Sequence, residues 1–404
     1  MLDRPFHRIT GCAIALSAAV LAAGVGCSGS ERGAGSGTTQ MGMQPAAPVG
    51  ARAAAERAAE ATGANSGTAV AAAPAAVAVV APITIDPWTW ESPEGPIEGK
   101  VLSGQHTIVR TTKRDETLPM QLVRFSDAAL EHYTSTIIPL PAPSRRLETF
   151  LFATREHWAS FTKERMGRDA GTYLGLGRGG YTIDGQAVLF DLGRWDTLAL
   201  AAHEGWHQYT QTAFRHPLPI WLEEGVATYM EGHRWSRGDE RPTFNPWRNY
   251  ERFGELREAV RQGELIDLDE IMQGIPQGFL RSGRSKLLTY YAQVWALTHY
   301  LMEGEGGRYR ASLEELLRDA AEGRMAGKLA SSANLPPGRT GRLMGTKVGR
   351  AVAVVYFNKD FAEFKAGYEA FVQDITRRGA GDLVWRGQSP VSPWPPQATT
   401  PATN

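Results

Sequence analysis

Between residues 106 and 192 short apolar runs alternate with amphipathic stretches. His106-Thr-Ile-Val-Arg-Thr reads as a strand, and Leu118 to about Ser135 as an amphipathic helix. Leu147-Glu-Thr-Phe-Leu-Phe-Ala reads as a second strand, Arg155 to Met166 as a helix, and Gly185 to Leu192 as a third, buried strand. Beyond Asp196 the pattern becomes almost wholly helical. A strong helix former, Thr197-Leu-Ala-Leu-Ala-Ala, with Asp196 or Thr197 as its cap, leads into further helices over roughly 221–233, 248–262, 286–303 and 311–321. Asp360-Phe-Ala-Glu363 supplies an N-cap with a carboxylate three residues on. It opens a helix that puts Phe361, Phe364, Tyr368, Phe371, Val372 and Ile375 on one face. No internal repeat is visible. The pattern predicts an α+β protein, an α/β lobe followed by a mostly helical lobe.

The ends of the chain read differently. Arg4 and Arg8 precede an apolar stretch from Gly11 to about Val25 that is too short and too rich in small residues for a membrane span. It closes on Gly24-Val25-Gly26-Cys27-Ser28, which reads as a signal peptide over residues 1–27, of the lipoprotein type. Gly24 stands where such signals usually carry Leu; ordinary secretion is the alternative. Either way export is expected, to the bacterial envelope by a lipid on Cys27 or to the medium. Residues 28–81 are rich in Gly, Ser, Ala and Pro and predict a flexible tether, and 387–404 a disordered tail. That leaves a folded body over 82–386, enough for one large domain or two closely packed lobes.

Charge and cysteine narrow the chemistry. The 404 residues hold 43 Lys and Arg against 43 Asp and Glu, so nothing points to a nucleic-acid partner. Both cysteines, Cys12 and Cys27, belong to the signal, so the body can build neither disulfides nor thiolate metal sites. The basic run from Lys328 to Arg350 reads as a solvated loop, with a lid as the sharper alternative.

The helix after the third strand carries His203-Glu204-Gly205-Trp206-His207. Histidines four apart share one helical face, so both imidazoles can bind one metal ion, and Glu204 then points at the open coordination position, where it can take a proton from a bound water. The bland alternative is an amphipathic helix with two satisfied histidines. Gly205 argues against it, because glycine costs about 1 kcal/mol in a helix interior unless another backbone must come close. Thr210 and Ala213 exclude the metzincin continuation. A third ligand is available from Trp221-Leu-Glu223-Glu224-Gly225, of which only one glutamate can face the metal, since helix neighbours diverge by about 100°. Gly177-Arg-Gly179-Gly180-Tyr181-Thr182-Ile reads either as an edge strand able to pair with an extended peptide or as a plain glycine-rich turn.

His203-Glu-Gly-Trp-His207-Gln208 followed by Trp221-Leu-Glu-Glu224-Gly225-Val-Ala227 resembles the gluzincin pattern. That pattern is shared by M1-type aminopeptidases and by the smaller peptidase MA-like proteins of bacterial envelopes, including a DUF1570-like domain of unknown function. The resemblance is specific over 203–229 and looser around 290–302. It implies a thermolysin-like catalytic domain with the metal between the two lobes, and Zn2+ held by His203, His207 and Glu224 with Glu204 as general base. It also implies an oxyanion-stabilising tyrosine in Leu288-Thr-Tyr290-Tyr291-Ala-Gln-Val; Tyr291 is the better match and Tyr290 the fallback, and both could instead simply pack with Leu287, Val294, Leu297 and Leu301. The chain departs from the M1 pattern by having no glutamate in the Gly179–Thr182 segment, which puts aminopeptidase activity in doubt.

The leading expectation is therefore a zinc metallopeptidase acting on peptides or unfolded proteins, an envelope endopeptidase with Gly179, Gly180 and Tyr181 beside the substrate. Against it stand a catalytically silent, zinc-containing protein that binds peptides or glycans, and a structural lipoprotein whose histidine motif is incidental.

Overall fold

The structure, a computed structural model, describes residues 82–175, 179–332 and 349–394. The predicted signal and tether, most of the basic run, and residues 395–404 lie outside the described residues.

The first half is a mixed six-stranded sheet. Its strands are β1 (Thr84–Ser92), β2 (Gly95–Ser103), β3 (Thr107–Thr111), β4 (Leu147–Phe152), β5 (Tyr181–Ile183) and β6 (Gln186–Phe190), in the order β1-β2-β3-β4-β6-β5. β3, β4 and β6 run parallel, and the antiparallel β1–β2 hairpin and β5 close the two edges. The three strands legible in the sequence are the parallel ones; β4 and β6 owe their mostly apolar runs to burial on both faces, whereas β3 alternates buried with half-buried positions. The hairpin escapes pattern reading because most of β1 is exposed; Pro87 is tolerated there since an edge strand needs no donor on its outer side. Trp90 is its buried anchor, edge-on to Phe152 at 5.1 Å.

Helices cover both faces. α1 (Thr117–Tyr133) and α4 (Arg194–Ala213) share one face, and α2 (Arg155–Met166) and the short α3 (Ala170–Leu174) the other. β5 shows the division by alternation: Tyr181 points to α2, its hydroxyl donating to Thr162 Oγ1 at 3.2 Å, while Thr182 points to α4.

The second half is helical, apart from a two-residue pairing of β7 (His233–Arg234) with β8 (Thr243–Phe244). α5 (Ile220–Met230) and α9 (Arg284–Glu303) pack against each other and are buried over almost their whole length. Around them lie α6 (Tyr250–Gln262), α7 (Leu268–Gln273), α8 (Pro276–Ser282), α10 (Arg310–Glu322), α11 (Met325–Ser331), α12 (Gly349–Tyr356), α13 (Phe361–Ile375) and α14 (Ala380–Trp385). The α+β class and the order of the halves are as the pattern predicts. In α13 the Asp360 carboxylate caps the nitrogens of Ala362 and Glu363, and all six residues of the predicted face are buried.

Three local expectations change. α4 starts at Arg194 after Gly193 (φ 88°), and Thr197, rather than capping the helix, accepts from the Leu192 nitrogen at 3.0 Å; Asp196 sits in the first turn, where its charge suits the helix dipole. The ends of the basic run are helical: Lys328 belongs to α11 and pairs with Glu315, and Gly349 and Arg350 open α12. Residues 387–394, read as part of the tail, are bonded to the body, Ser389 to Glu303 and Ser392 to Asp374, both at 2.6 Å.

Candidate metal centre

α4 carries His203, Glu204 and His207, and α5 carries Glu223 and Glu224. Two glycines let these helices seat deeply. A Cβ on Gly205 would lie 2.6 Å from the Tyr133 hydroxyl, which donates to the Ala202 carbonyl at 2.7 Å. The close approach that Gly205 permits is thus made by a side chain of α1, not by another backbone. A Cβ on Gly225 would meet Thr298 Oγ1 at 2.6 Å and the Val294 carbonyl at 2.9 Å, so α5 needs glycine there to lie against α9.

The geometry separates the two glutamates. Glu224 Oε2 lies 3.2 Å from His203 Nε2 and 3.5 Å from His207 Nε2, and the two Nε2 atoms are 3.1 Å apart. Glu223 lies behind the ring, 2.8 Å from His207 Nδ1, and also accepts from Thr210 Oγ1 at 2.7 Å. On the other histidine, Glu231 Oε1 is 2.9 Å from Nδ1 of His203. Glu231 is itself gripped by Asn249 Nδ2 at 2.7 Å and by two guanidinium nitrogens of Arg252 at 3.0 and 3.1 Å.

This wiring fixes the protons. An ionised carboxylate can only accept, so each histidine carries its hydrogen on Nδ1 and turns a bare Nε2 lone pair inward. With both rings neutral, three acceptors converge with no hydrogen among them, and Glu224 Oε2 is buried without a hydrogen-bond partner. Such a set of buried lone pairs favours positive charge among them. Charge agrees: Glu204, Glu223, Glu224 and Glu231 are all buried here, and among the described residues the buried cation bonded into the group is Arg252. Burial opposes a charge on His207, yet Glu224 and Glu223 overcome it and raise its pKa to about 10, so positive charge is favoured here, as a proton on the ring or as a metal ion that would take that proton's place. For Glu224 the same burial is outweighed by the two histidines, which hold it at about 2. His203, His207 and Glu224 thus form a buried group able to hold a metal ion.

Glu204, between the two histidines, points to the sheet, where the Thr182 hydroxyl lies 2.7 Å from its Oε2. Gln208 Nε2 donates to the Glu148 carbonyl of β4 at 2.6 Å, and Gln211 Oε1 accepts from the Gly185 nitrogen at 2.9 Å. Positions 204, 208 and 211 form one stripe of α4, so the second half of the helix is fastened to β4, to β5 and to the turn after β5. Gly180 and Tyr181 lie in the β5 edge, but Tyr181's ring packs at a tilt against Tyr173 on the face away from α4, so only its main chain is on offer. Gly179 forms an isolated bridge just before the strand.

Both tyrosines of α9 are buried. Tyr291 stands edge-on to His203, ring centroids 5.9 Å apart, with the Arg252 guanidinium 5.1 Å from its ring. Tyr290 stacks on Phe279 at 4.5 Å, and its hydroxyl has no hydrogen-bond partner. Burial, then Glu224, pushes both phenols well above their usual pKa, so each remains a protonated donor.

Glu231, Asn249, Arg252 and the role of Thr182 are absent from the sequence reading. Glu231 was within reach of it, since it lies seven residues after Glu224 and therefore on the same face of its helix. Arg252 gives no local signal, because only the packing of α6 against α9 brings it in.

No curated protein matches this chain. Residues 197–321, from the first turns of α4 into α10, match a family described as "Protein of unknown function (DUF1570)", and this segment holds His203, Glu204, His207, Glu223, Glu224, Glu231, Arg252 and Tyr291.

Proposed function

We propose that the protein is a zinc-dependent peptidase with a gluzincin-like catalytic domain. One observation carries the reading: two Nδ1-anchored imidazoles and an otherwise partnerless carboxylate oxygen converge at 3.1, 3.2 and 3.5 Å. Ligand atoms bonded tetrahedrally to zinc at about 2.0–2.1 Å lie about 3.3–3.4 Å from one another, which is the spacing of this set. Oxygen and nitrogen donors without sulfur, three in number, suit a catalytic rather than a structural zinc.

Zinc held there would act as a Lewis acid and bring a water's pKa down to about 7. Glu204, the residue after His203, is the proposed general base, a buried carboxylate with one oxygen accepting from the Thr182 hydroxyl. Tyr291, a protonated phenol beside His203, has the place of the donor to a developing oxyanion. Glu223 does not have the place of an anchor for a substrate's free amine. The His207 ring stands between it and the converging ligand atoms.

An internal bond of a peptide or unfolded protein is therefore the proposed substrate, with the chain laid beside the β5 edge by main-chain hydrogen bonds. Blocked internally cleaved peptides, screened beside aminoacyl reporters, test this; cleavage of the reporters alone would overturn it. The silent peptide- or glycan-binding alternative is excluded once any blocked peptide is cut and Glu204→Gln stops the cutting. Export by the residue 1–27 signal, with a lipid on Cys27, belongs to the same proposal, and the mass of the mature N-terminal peptide tests it. Among the described residues no helix is long and apolar enough to cross a membrane.

A further inference from the structure

We infer that Arg252 is a positioning residue that holds the metal ligand His203 and the phenol Tyr291 in one rigid frame, and that Glu231 is its link to the histidine. The inference rests on the zinc reading above. Arg252 is 1% exposed, and its fork takes both oxygens of Glu231, through Nε to Oε2 at 3.1 Å and Nη2 to Oε1 at 3.0 Å. The same Oε1 holds Nδ1 of His203 at 2.9 Å, so the guanidinium fixes the histidine through one intervening carboxylate. Its planar face meanwhile lies 5.1 Å from the Tyr291 ring centroid, and that ring touches His203 edge-on. His203, Glu231, Arg252 and Tyr291 thus form a closed loop of contacts drawn from α4, α5's C-terminal end, α6 and α9.

Three features argue that this loop serves the site rather than mere stability. A buried guanidinium–carboxylate pair gains little over an apolar pair of equal volume, so stability alone gives no reason for it. The bidentate fork is a geometry that lysine cannot supply, and it fixes the plane of Glu231 and with it the plane of the imidazole. His207 has a simpler support in Glu223 and Thr210, and among the described residues no cation is seen to back it in the same way. Asn249 completes the clamp at 2.7 Å from Glu231 Oε2, which leaves that carboxylate no freedom to swing toward the metal itself.

The test measures zinc affinity of the purified full-length chain by competition with a chromogenic chelator, for the parent, Glu231→Gln and Arg252→Lys. A second readout is the 19F resonance of 3-fluorotyrosine placed at position 291. Glu231→Gln should weaken zinc about 10–100-fold, the usual effect of removing a partner behind a ligand. Arg252→Lys keeps the buried charge, so it can fold where a neutral replacement would not; it should also weaken zinc and shift the fluorine resonance. If the parent binds zinc and both variants bind it equally tightly, or if Arg252→Lys leaves the resonance in place, this inference is overturned while the zinc reading stands. If the parent itself binds no zinc, the metal reading falls first.

Discussion

The Thr182 hydroxyl donates to Glu204 Oε2 at 2.7 Å, so the outermost strand of the sheet is bonded directly to the carboxylate between the two histidines. A strand edge and a carboxylate fixed to each other in this way would present a main chain laid along that edge to Glu204 at a set height. Glu204→Gln should keep fold and metal yet lose hydrolysis by several orders of magnitude, because a neutral amide cannot take up a proton. Thr182→Val should lower kcat with little change in KM, and Thr182→Ser should restore it. Near-normal turnover in Glu204→Gln would sink the assignment.

The adjacent glutamates of α5 should part company in a metal assay. Glu224→Ala removes a proposed ligand and should leave no zinc after repletion and dialysis, by elemental analysis. Glu223→Ala frees the far side of His207 and should weaken binding only about 10–100-fold. The reverse ranking would show that the roles are exchanged.

For the tyrosines the expected effects differ in kind. Tyr291→Phe should cost about 10²–10³ in kcat at unchanged fold, as the loss of one oxyanion donor does elsewhere. Tyr290→Phe removes a buried hydroxyl that has no partner, so it should leave kcat alone and raise stability by about 1 kcal/mol, seen as a higher melting temperature. A large loss of activity in Tyr290→Phe with none in Tyr291→Phe would move the donor by one residue.

Gly205→Ala places a methyl 2.6 Å from the Tyr133 hydroxyl. Even with alanine's better helix propensity, the overpacking should destabilise by about 1–3 kcal/mol in urea unfolding. Adding Tyr133→Phe withdraws the oxygen that the methyl meets, so the double variant should be more stable than the sum of the singles predicts. Strict additivity would show that the contact is not what position 205 is for.

His132 tests the fold's response to acid. Burial lowers its pKa from 6.5 to about 4, so the folded state binds its proton more weakly than the unfolded chain. The stability this contributes is fully present above about pH 6.5 and is lost as pH falls toward about 4, a span worth roughly 3 kcal/mol. Urea midpoints measured from pH 7 to 4 should fall less steeply in His132→Gln than in the parent. Parallel curves would remove His132 from the account of acid lability.

Much of this was written in local sequence. β4 and β6 announced themselves because burial on both faces leaves a mostly apolar run, and β3 because its apolar pair sits in a short extended pattern. α13 did so because its cap and its stripe agree, and His203, Glu204 and His207 because one helical turn alone brings them together. Glu223 and Glu224 could be placed on a second helix, but which of them meets the histidines depends on how α5 is rotated against α4, and neighbours about 100° apart leave that to packing. The β1–β2 hairpin stayed silent since its exposed face carries no apolar period. Thr182, Glu231 and Arg252 are ordinary polar residues in their own segments, and they matter only because the β5 edge, the end of α5 and α6 are folded against α4 and α9. Chain-local spacing determines which side chains share a helix face, whereas the convergence of acceptors from separate elements, and hence the capacity to hold a cation between them, is decided only when those elements pack.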